Sequence, residues 1–515
     1  MQRFAVVLLT ILGLHLNARA QYTYVPLRHQ VYPLLIKGET LGLFSDYALR
    51  TLPLDRDTVL RLLRRMQEQS ARMSDADRRL LQQMLAEFTD PPPDRDAPPG
   101  SEIHALRYRD GDQQLFLDVT LRQSFRFSRN RLEIDREDLS ETDLRIAVRG
   151  NLGEHLFYAA EAVNALILGS ENLEERFDPA LGRIQVTVGQ SIFTDQAIGY
   201  FAYRRGRFTT VFGRQKISWG AALADRLGLS AGNEPMDMLR LQFDFSRFRY
   251  ASFHANLQGL GSPRYLAGHR IDWLVHPRMQ IGAYETLVYG GRNIELAYLN
   301  PLLPFHIMEH QLGDRDNNMV GFDLTAFPTD GLRITLEIFV DDFSLDYPLG
   351  TYWGNKLAYH FGVHWVAPFG VRPLELSTDY TRVDPFVYTH YDTLNIYAHY
   401  GRSIGSQLGP NADRWQWHLA WQPRRDVRWQ LGYAYIRQGR GDIMVAHRPE
   451  DGIYKGFLRG LVERQHRVWQ SLRVQVLRDI FVRFDVLLKY RRNAGRQPGE
   501  NRLERFGHFA LEINY

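Results

Sequence analysis

Apolar and polar residues alternate along many short segments between about Gln113 and the end of the chain. Successive side chains of a β-strand point to opposite faces, so such a strand shows one face to an apolar medium and the other to water. Breaks rich in Gly, Asn, Asp and Pro separate the segments, and many segments begin or end with Trp, Tyr or Phe. The clearest runs begin at Leu115, Leu239, Leu332, Trp415, Trp429 and Ile480. The pattern therefore predicts a long series of strands with aromatic residues at their ends.

The last segment has the same alternation. Its apolar positions, spaced by two, are Phe509, Leu511, Ile513 and Tyr515. A strand that ends on an aromatic residue resembles the strand that closes bacterial outer-membrane β-barrels and is read by their assembly machinery. About 400 residues, at roughly ten per strand plus turns, would form about 16–18 strands. We therefore expect an all-β transmembrane β-barrel of antiparallel strands. A soluble β-sandwich or propeller is the alternative, but no repeat of about 40–50 residues is visible.

Residues 21–90 carry a helical pattern instead. Two stripes of apolar residues at helical spacing are Val59, Leu62, Leu63 and Met66, and then Leu80, Leu81, Met84, Leu85 and Phe88. Asp55 precedes the first stripe, and Ser74 with Asp77 three residues later predicts an N-cap for the second. We expect two amphipathic helices that pack as a hairpin, with a third, short helix over Val31 to Ile36. A membrane-surface role is less favoured, because the polar faces carry both signs of charge.

The chain divides into four parts. Arg3, an apolar run from Phe4 to Leu16 and then Ala18-Arg19-Ala20 form the layout of a secretory signal peptide, and the run is too short for a membrane anchor. We expect a signal peptide at 1–20 and a helical periplasmic region at 21–90. The proline-dense stretch from Asp90 to Gly100 excludes helix and central strand. We therefore assign 91–112 as a linker and lead-in, and 113–515 as the barrel.

Composition restricts the class of protein. No later apolar run approaches the roughly 20 residues of a membrane-spanning helix. The mean hydropathy of −0.35 suits a barrel, in which only every second strand residue faces lipid. The sequence has no Cys, which excludes disulfides and thiolate metal sites. The formal charge of +4 argues against a nucleic-acid binder.

The basic residues are unevenly divided between the two types. Only five of the 63 Lys and Arg residues are Lys. Arg suits carboxylate and phosphate groups, as in acidic polysaccharides or lipopolysaccharide. A GC-rich coding sequence or a thermophilic source would explain the bias equally well.

Two motifs resemble catalytic or metal sites. Gly228-Leu229-Ser230-Ala231-Gly232 matches the nucleophile elbow Gly-x-Ser-x-Gly, which requires a helix after it, but Asn233-Glu234-Pro235 follows. His306-Ile307-Met308-Glu309-His310 matches the inverted zinc motif His-x-x-Glu-His, in a poor helical context after Pro304. Neither motif is accepted as a site, so we predict a non-enzymatic protein without catalytic, cofactor-binding or metal-binding residues.

Two further motifs are read as loops. Arg440-Gly441-Asp442 is an adhesion-type tripeptide in a predicted hairpin loop. Asp314, Asp316, Asn317 and Asn318 form an oxygen-rich run that could hold Ca²⁺, but its spacing differs from that of the EF-hand. A loop that turns through Asp and Asn side chains is favoured.

A series of short motifs carries a resemblance to a known family. Val25-Pro26-Leu27 and the run from Arg50 to Arg56 come first, and Phe212 to Gly220 then supplies a Gly-Arg…Trp-Gly motif, with Ala221 and Ala222 where that family has Pro-Gly. Further matches follow in order: Leu229-Ser230, Asn233-Glu234-Pro235, His269-Arg270-Ile271-Asp272, Glu285, Tyr289-Gly290-Gly291, Tyr298 to Pro301, Asp316-Asn317-Asn318, Gly321-Phe322-Asp323 and Asp341-Asp342-Phe343. The chain resembles the Wzi capsule-assembly family of outer-membrane β-barrels, in the form found in Bacteroidetes-like bacteria.

The resemblance implies a barrel of about 18 strands with a periplasmic helical bundle. It implies a lectin-like role, binding or anchoring capsular polysaccharide or exopolysaccharide at the cell surface. Aromatic faces can stack on pyranose rings, and charged groups can pair with uronates. Candidates for polysaccharide binding or for a buried lumen network are Arg214, Trp219, His269, Arg270, Asp272, Glu285, Asp316, Asn317, Asp323, Asp341 and Asp342. The network is favoured for most of them, because buried charges must be paired.

The expected location is the cell outer membrane. Expected partners are outer-membrane lipid and lipopolysaccharide, a surface polysaccharide and the outer-membrane assembly machinery, but no nucleic acid. Two other functions remain open: a passive or substrate-selective outer-membrane channel, and a barrel-embedded hydrolase.

Overall fold

The body of the protein is a closed barrel of 18 antiparallel strands. The computed structural model describes residues 22–89, 104–130, 136–169, 185–189, 191–348, 350–477 and 479–514. Its strands β1 to β24, in chain order, are Thr51–Leu52, Leu106–Asp110, Gln113–Asn130, Arg136–Leu152, Leu156–Gly169, Gln185–Val188, Ser191–Arg205, Phe208–Gln215, Ser218–Trp219, Met236–Asp244, Phe248–Leu257, Arg264–His276, Met279–Gly290, Asn317–Thr329, Leu332–Asp342, Lys356–Val366, Leu374–Val383, Ala398–His399, Arg402–Ser403, Ala412–Arg424, Val427–Gln438, Glu463–Leu477, Ile480–Arg492 and Asn501–Asn514.

The barrel wall consists of β3–β5, β7, β8, β10–β17 and β20–β24, each paired with the next. The short strands β2 and β6 add to β3 and β7, β1 pairs with β9, and β18 pairs with β19. The helices α1 to α5 are Val31–Thr40, Arg56–Glu68, Asp75–Phe88, Leu296–Leu299 and Phe305–Gln311. Single 3₁₀ turns lie at Ser70–Arg72, Pro368–Gly370, Thr393–Asn395, Pro449–Asp451 and Ala494–Arg496.

The alternation predicted from the sequence is confirmed on the wall. In β15, Leu336 and Ile338 are 42% and 45% exposed on the outer face, while Arg333 and Glu337 are buried on the inner face. The wall closes between β24 and β3, where Phe509 lies opposite Phe125. The predicted closing strand is therefore the closing strand, although Tyr515 itself lies outside the described residues.

The two ends of the barrel differ in their connections. One end carries short turns such as 206–207, 277–278 and 330–331, and we call it the short-turn end. The other end carries the long connections 216–235, 291–316, 384–411 and 439–462, and we call it the long-loop end. In outer-membrane barrels the short turns face the periplasm and the long loops face the cell exterior.

Helices α1 to α3 form a small domain with its own apolar core. Asp55 and Ser74 cap α2 and α3, since each side chain accepts a hydrogen bond from the backbone N–H three residues on. The predicted apolar stripes pack against one another and against α1. These predictions are confirmed, and α1 extends beyond the expected Ile36 to Thr40.

This helical domain closes the mouth of the barrel at the short-turn end. Gly331 N–H in the turn between β14 and β15 donates to the Thr40 carbonyl at 2.8 Å. Inside the mouth, Lys37 Nζ lies 2.9 Å from Asp77 of α3 and 3.4 Å from Glu375 of the barrel wall. The helices are thus joined to the wall by buried ion pairs.

Some expectations differ from the structure or lie outside it. Strand β2 falls within 91–112, so the sheet begins before the predicted start at Gln113. The signal peptide at 1–20 and the linker residues 91–103 lie outside the described residues. Among the described helices, none combines the length and the apolar character needed to cross a membrane.

Candidate functional site

Two long loops, 216–235 and 384–411, fold into the barrel. Their apolar side chains form one buried cluster with inward-facing side chains of the wall. Trp219 belongs to this cluster, is fully buried, and its ring meets the ring of Phe253 edge-on at 5.0 Å. The backbone of Trp219 also pairs with that of Thr51, which arrives from the short-turn end. A segment from the short-turn end and a loop from the long-loop end therefore pair with each other inside the barrel.

A buried ionic network joins this N-terminal segment to the wall. Asp323 receives Arg50 Nη1 on one oxygen and Arg270 Nη1 on the other, each at 2.7 Å. Asp272 lies 2.7 Å from Arg270 Nη2 and accepts the Thr51 hydroxyl at 2.5 Å. Buried charges are tolerated when they are paired in this way. The structure thus brings together three predicted residues, Arg270, Asp272 and Asp323.

Sequence reasoning did not select Arg50 and Thr51 as site residues. Both side chains are buried, at 0% and 1% exposure. They belong to the N-terminal Arg-Thr-Leu-Pro motif that the family resemblance had singled out. Their position in that motif was the only signal, because nothing local to residues 50–51 shows which wall they meet.

Glu337 is the centre of a second buried network, and this network explains the Gly-x-Ser-x-Gly run. Its carboxylate accepts hydrogen bonds from the Tyr284 hydroxyl at 3.0 Å and from the N–H of Leu227 and Gly228 at 3.2 and 3.4 Å. A Cβ atom on Gly228 would lie 2.5 Å from the Tyr284 ring. Ser230 is buried. The first glycine of the run is therefore a close-packing position inside the barrel.

Asp341 and Asp342, at the end of β15, fasten a long loop. Lys356 Nζ lies 2.5 Å from Asp342 and 4.0 Å from Asp341. Asp341 also accepts the N–H of Tyr388 in loop 384–411, at 2.5 Å. Lys356 Nζ also donates to the Thr389 carbonyl of the same loop at 3.4 Å, so Asp341 holds the loop directly and Asp342 holds it through Lys356.

Arg214 lies apart from the other candidates. It is on the outer face near the long-loop end and forms a two-bond ion pair with Asp237, at 2.8 and 2.6 Å. The two side chains are 40% and 44% exposed. A pair this exposed contributes little to stability.

Residues 291–316, which include α4 and α5, lie against the outer face of the barrel, and we call them the flap. His269 of β12 packs on the ring of Phe305, with centroids 3.9 Å apart. Glu285 of β13 accepts the N–H groups of Phe305 and His306 at 2.9 and 2.8 Å. These two predicted residues therefore hold α5 to the wall.

Another predicted residue, Asp316, joins the two ends of the flap through an ion pair with Arg292. Asp316 pairs with Arg292 at 2.8 and 2.5 Å and accepts the Tyr298 hydroxyl at 2.7 Å. Asn317 donates to the Asn395 carbonyl at 2.9 Å and so ties the end of the flap to loop 384–411. Asp316 and Asn317 of the oxygen-rich run thus bind side-chain and backbone groups of the protein itself.

The His-x-x-Glu-His run lies on α5, contrary to the expected poor helical context, because Glu285 caps the helix from the wall. The rings of His306 and His310 are exposed and 4.3 Å apart, whereas Glu309 is buried. Burial, together with the nearby carboxylates of Asp314 and Asp316, raises the pKa of Glu309 to about 8. Within the described part of the chain, no three His, Asp or Glu side chains are grouped as a metal site.

The eleven candidates therefore do not converge on one pocket. Trp219 lies in the interior cluster, and Arg270, Asp272 and Asp323 form the ionic network. Asp341 and Asp342 hold loop 384–411, four residues contact or bound the flap, and Arg214 lies on the outer face. In this structure each of them makes contacts within the protein.

The exposed aromatic surface is elsewhere, and the sequence analysis did not identify it. Five rings of loops 343–355 and 439–462 lie at the long-loop end, and we call them the aromatic rim: Tyr347, Tyr352, Trp353, His447 and Tyr454. Tyr347 stacks on Tyr352 at 4.1 Å, and Trp353 stacks on His447 at 3.7 Å. Tyr347 is 41% exposed and Tyr454 is 74% exposed.

The two loops that carry the aromatic rim are hydrogen-bonded to each other. The two loops pair through backbone hydrogen bonds from Trp353 N–H to the Ile453 carbonyl, at 3.1 Å, and from Lys455 N–H to the Thr351 carbonyl, at 2.8 Å. Lys455 Nζ is buried and lies 2.6 Å from Asp384. The signal available in the sequence was the pair Tyr352-Trp353 between two strands, which periodicity alone treats as a strand end.

A cavity of about 350 Å³, lined by both polar and apolar side chains, lies between α1 and the wall formed by β15–β17 and β20–β22. His364 and Glu375 line it and bind each other at 3.1 Å, and Trp469 lines it from β22. It sits beside the helical domain and hence in the half of the barrel away from the aromatic rim.

Comparison with known proteins agrees with this architecture. The model of the family described as capsule assembly protein Wzi matches residues 194–502. The chain is similar to the solved structure of Wzi from Escherichia coli, described as an outer membrane protein involved in group 1 capsule assembly and a carbohydrate-binding β-barrel. That likeness has 14% identity and a TM-score of 0.63, over 95% of this chain and 99% of the other.

Two other solved structures show weaker likeness. OprD of Pseudomonas aeruginosa has 11% identity and a TM-score of 0.45, over 78% of this chain and 95% of the other. OccAB1 of Acinetobacter baumannii has 8% identity and a TM-score of 0.46, over 78% and 96%. No curated protein sequence matches the chain.

The family match runs from β7 to β24 and covers more than half of the chain, including the inward loops, the flap and the aromatic rim. The expected family and the expected location are confirmed. This outer-membrane β-barrel belongs to the family of capsule assembly protein Wzi.

Proposed function

We propose that the protein binds a surface polysaccharide at its long-loop end and holds it at the cell surface without catalysing a reaction. The observation that carries this proposal is the aromatic rim, two stacked ring pairs and the exposed ring of Tyr454, at the end of the barrel that faces outward in outer-membrane barrels. The solved Wzi structure, described as a carbohydrate-binding β-barrel, supports the same assignment.

The chemistry of the aromatic rim suits sugars. An aromatic ring presents a flat apolar face with a polar edge, which matches the C–H face and the hydroxyl edge of a pyranose. Tyr347 and Tyr454 also have hydroxyl groups that can bond to sugar hydroxyls. The pairing of loops 343–355 and 439–462 places the rings before a ligand arrives, which lowers the entropy cost of binding.

The filled interior favours retention over transport. Loops 216–235 and 384–411 occupy the barrel from one end, and Arg50 and Thr51 enter from the other. A polysaccharide chain would therefore meet these segments beneath the surface of the aromatic rim. We accordingly place the ligand on that surface and not in a channel.

Binding of purified capsular polysaccharide to the detergent-solubilised protein tests the proposal. We expect Tyr347→Ala and Tyr454→Ala each to weaken binding by about 3- to 10-fold, because a ring contact is worth about 0.5–1.5 kcal/mol beyond its buried area. Phe369→Ala is the control, since Phe369 is an exposed ring (80%) at the short-turn end. Equal effects of all three substitutions would refute the role of the aromatic rim.

A test in cells addresses the wider function. Deletion of the gene should reduce cell-bound polysaccharide and increase the amount shed into the medium, and expression of the intact chain should restore retention. Unchanged cell-bound polysaccharide with none shed would overturn the proposal. In planar bilayers we expect no steady open-channel current, and a large current would favour the channel alternative.

A further inference from the structure

The flap (291–316) descends along the outer wall instead of extending into the exterior solvent. Its lowest contact is the hydrogen bond from the Tyr250 hydroxyl to the Pro301 carbonyl. Tyr250 lies seven residues below Leu257, where β11 ends at the long-loop end. At about 3.3 Å per residue, the backbone of Tyr250 is about 23 Å along the strand from that end, and the flap reaches the hydroxyl of its side chain.

The flap covers polar side chains on a surface that otherwise faces lipid. Ser252 and His254 point outward from β11 but are only 5% and 8% exposed. His254 Nε2 is hydrogen-bonded to the Tyr289 hydroxyl at 2.8 Å, and Glu285 is occupied by the N-terminus of α5. These groups would be costly against hydrocarbon, so the flap excludes lipid from them and supplies hydrogen-bond donors to Glu285.

The other surface of the flap carries a group of exposed apolar side chains, beside polar ones such as His306 and His310. Its exposed side chains are Ile294 (48%), Leu296 (76%), Leu299 (36%), Leu302 (83%) and Ile307 (53%). Exposed apolar patches of this kind mark interaction surfaces. Leu302, the most exposed of the five, lies next to Pro301 at the lowest contact.

The apolar surface is continuous with the lipid-facing wall. Leu239 of β10 and Phe322 of β14 flank the covered strands and are 41% and 52% exposed on the outer face. The membrane already occupies that face in an outer-membrane barrel, so the same hydrocarbon extends over Leu299 and Leu302. A soluble partner would have to displace lipid to reach them.

We propose that the flap is a lipid-binding element that lies in the outer leaflet and binds acyl chains through Leu296, Leu299 and Leu302. The Asp316–Arg292 ion pair at its base and Glu285 beneath α5 hold it against the barrel. This inference rests on the outer-membrane location and is independent of polysaccharide binding.

The absence of Cys from the chain allows a direct test. Single variants Leu302→Cys and Leu296→Cys, in the full-length protein, are labelled with bimane and reconstituted in phosphatidylcholine vesicles with brominated acyl chains. Phe361→Cys on the bare wall is the lipid control, and Leu345→Cys in loop 343–355 is the water control, at 44% and 88% exposure.

We expect both flap labels to lose at least half as much emission to brominated lipid as the Phe361 label does, and to resist aqueous iodide. The proposal fails if they behave like the Leu345 label, quenched by iodide and not by lipid. It also fails if they are shielded from both quenchers in a way that grows with the protein-to-lipid ratio, because a second copy would then cover the flap. Each variant is first checked for a folded barrel, and all four positions are on the surface.

Discussion

Arg50 and Asp323 form an ion pair at 2.7 Å, with both side chains fully buried, across 273 residues of sequence. Arg50 comes from the segment between α1 and α2, and Asp323 comes from the barrel strand β14. Arg270 completes the neutralisation of Asp323 from β12. One carboxylate therefore joins the N-terminal domain to two strands of the wall.

Removal of Arg50 should be strongly destabilising. Arg50→Ala leaves Asp323 with one cation in a buried site and breaks the tie to the helical domain. We expect a loss of about 3–5 kcal/mol, the usual cost of breaking a buried pair, measured as a lowered thermal midpoint of the barrel. Arg61→Ala is the control, because the Arg61–Asp46 pair is 44% exposed on both sides and is worth about 0–1 kcal/mol. Equal midpoints for the two variants would contradict the importance of the network.

The two outer glycines of the Gly-x-Ser-x-Gly run should respond differently to substitution. Gly228→Ala forces a Cβ atom to within 2.5 Å of the Tyr284 ring, whereas the nearest atom to a Cβ on Gly232 is 3.9 Å away. We expect Gly228→Ala to cost about 1–3 kcal/mol by overpacking and Gly232→Ala to be nearly neutral. Urea unfolding of the two variants measures the difference. A neutral Gly228→Ala would show that the interior packs more loosely than described.

Lys455 should control the order of the aromatic rim. Lys455→Met keeps the length of the side chain but leaves the buried Asp384 without this cation. We expect protease cleavage within loop 439–462 to become several-fold faster, while cleavage elsewhere is unchanged. Arg448→Met, at an exposed position of the same loop, serves as the comparison. If both variants are cut at the wild-type rate, the buried lysine is not what orders the loop.

Glu309 should make the stability of the flap depend on pH. Its pKa rises from an ordinary value near 4.5 to about 8 because of burial and the neighbouring carboxylates Asp314, Asp316, Asp342 and Glu285. Between these values the folded form keeps a proton that the unfolded form releases, so stability falls as pH rises from about 4.5 to 8. We expect Glu309→Gln to raise the thermal midpoint more at pH 8 than at pH 5. The same increment at both pH values would argue against the raised pKa.

Strand pairing and the outer face of the barrel follow from local pattern. Leu336 and Ile338 alternate with Arg333, Thr335 and Glu337, and a period of two admits only one arrangement in which lipid meets the apolar set. The caps at Asp55 and Ser74 are equally local, since each cap side chain and the backbone N–H that donates to it are three residues apart. Such features are predictable because each residue and its near neighbours determine them.

Whether a loop packs inside the barrel or against its outer wall could not be predicted from local pattern. Loop 216–235 turns into the barrel, while the flap turns outward and down the wall, although both are polar-apolar mixtures between strands. Trp219 and Leu302 illustrate the difference: the first is fully buried in the interior and the second is 83% exposed on the flap. Their destinations depend on partners far away in sequence, such as Thr51 and Tyr250.

Local patterns in the chain are enough to predict a membrane barrel closed by the strand that contains Phe509, a helical N-terminal domain and membership of the family. The closed barrel was needed to show that Asp272 and Asp323 bind Arg50, that His269 and Glu285 hold a flap, and that loops 343–355 and 439–462 join in one aromatic rim. The physical reason is the range of the interactions. Periodicity and capping act over a few residues, whereas a buried charge accepts whichever partner the closed barrel brings within about 3 Å of it.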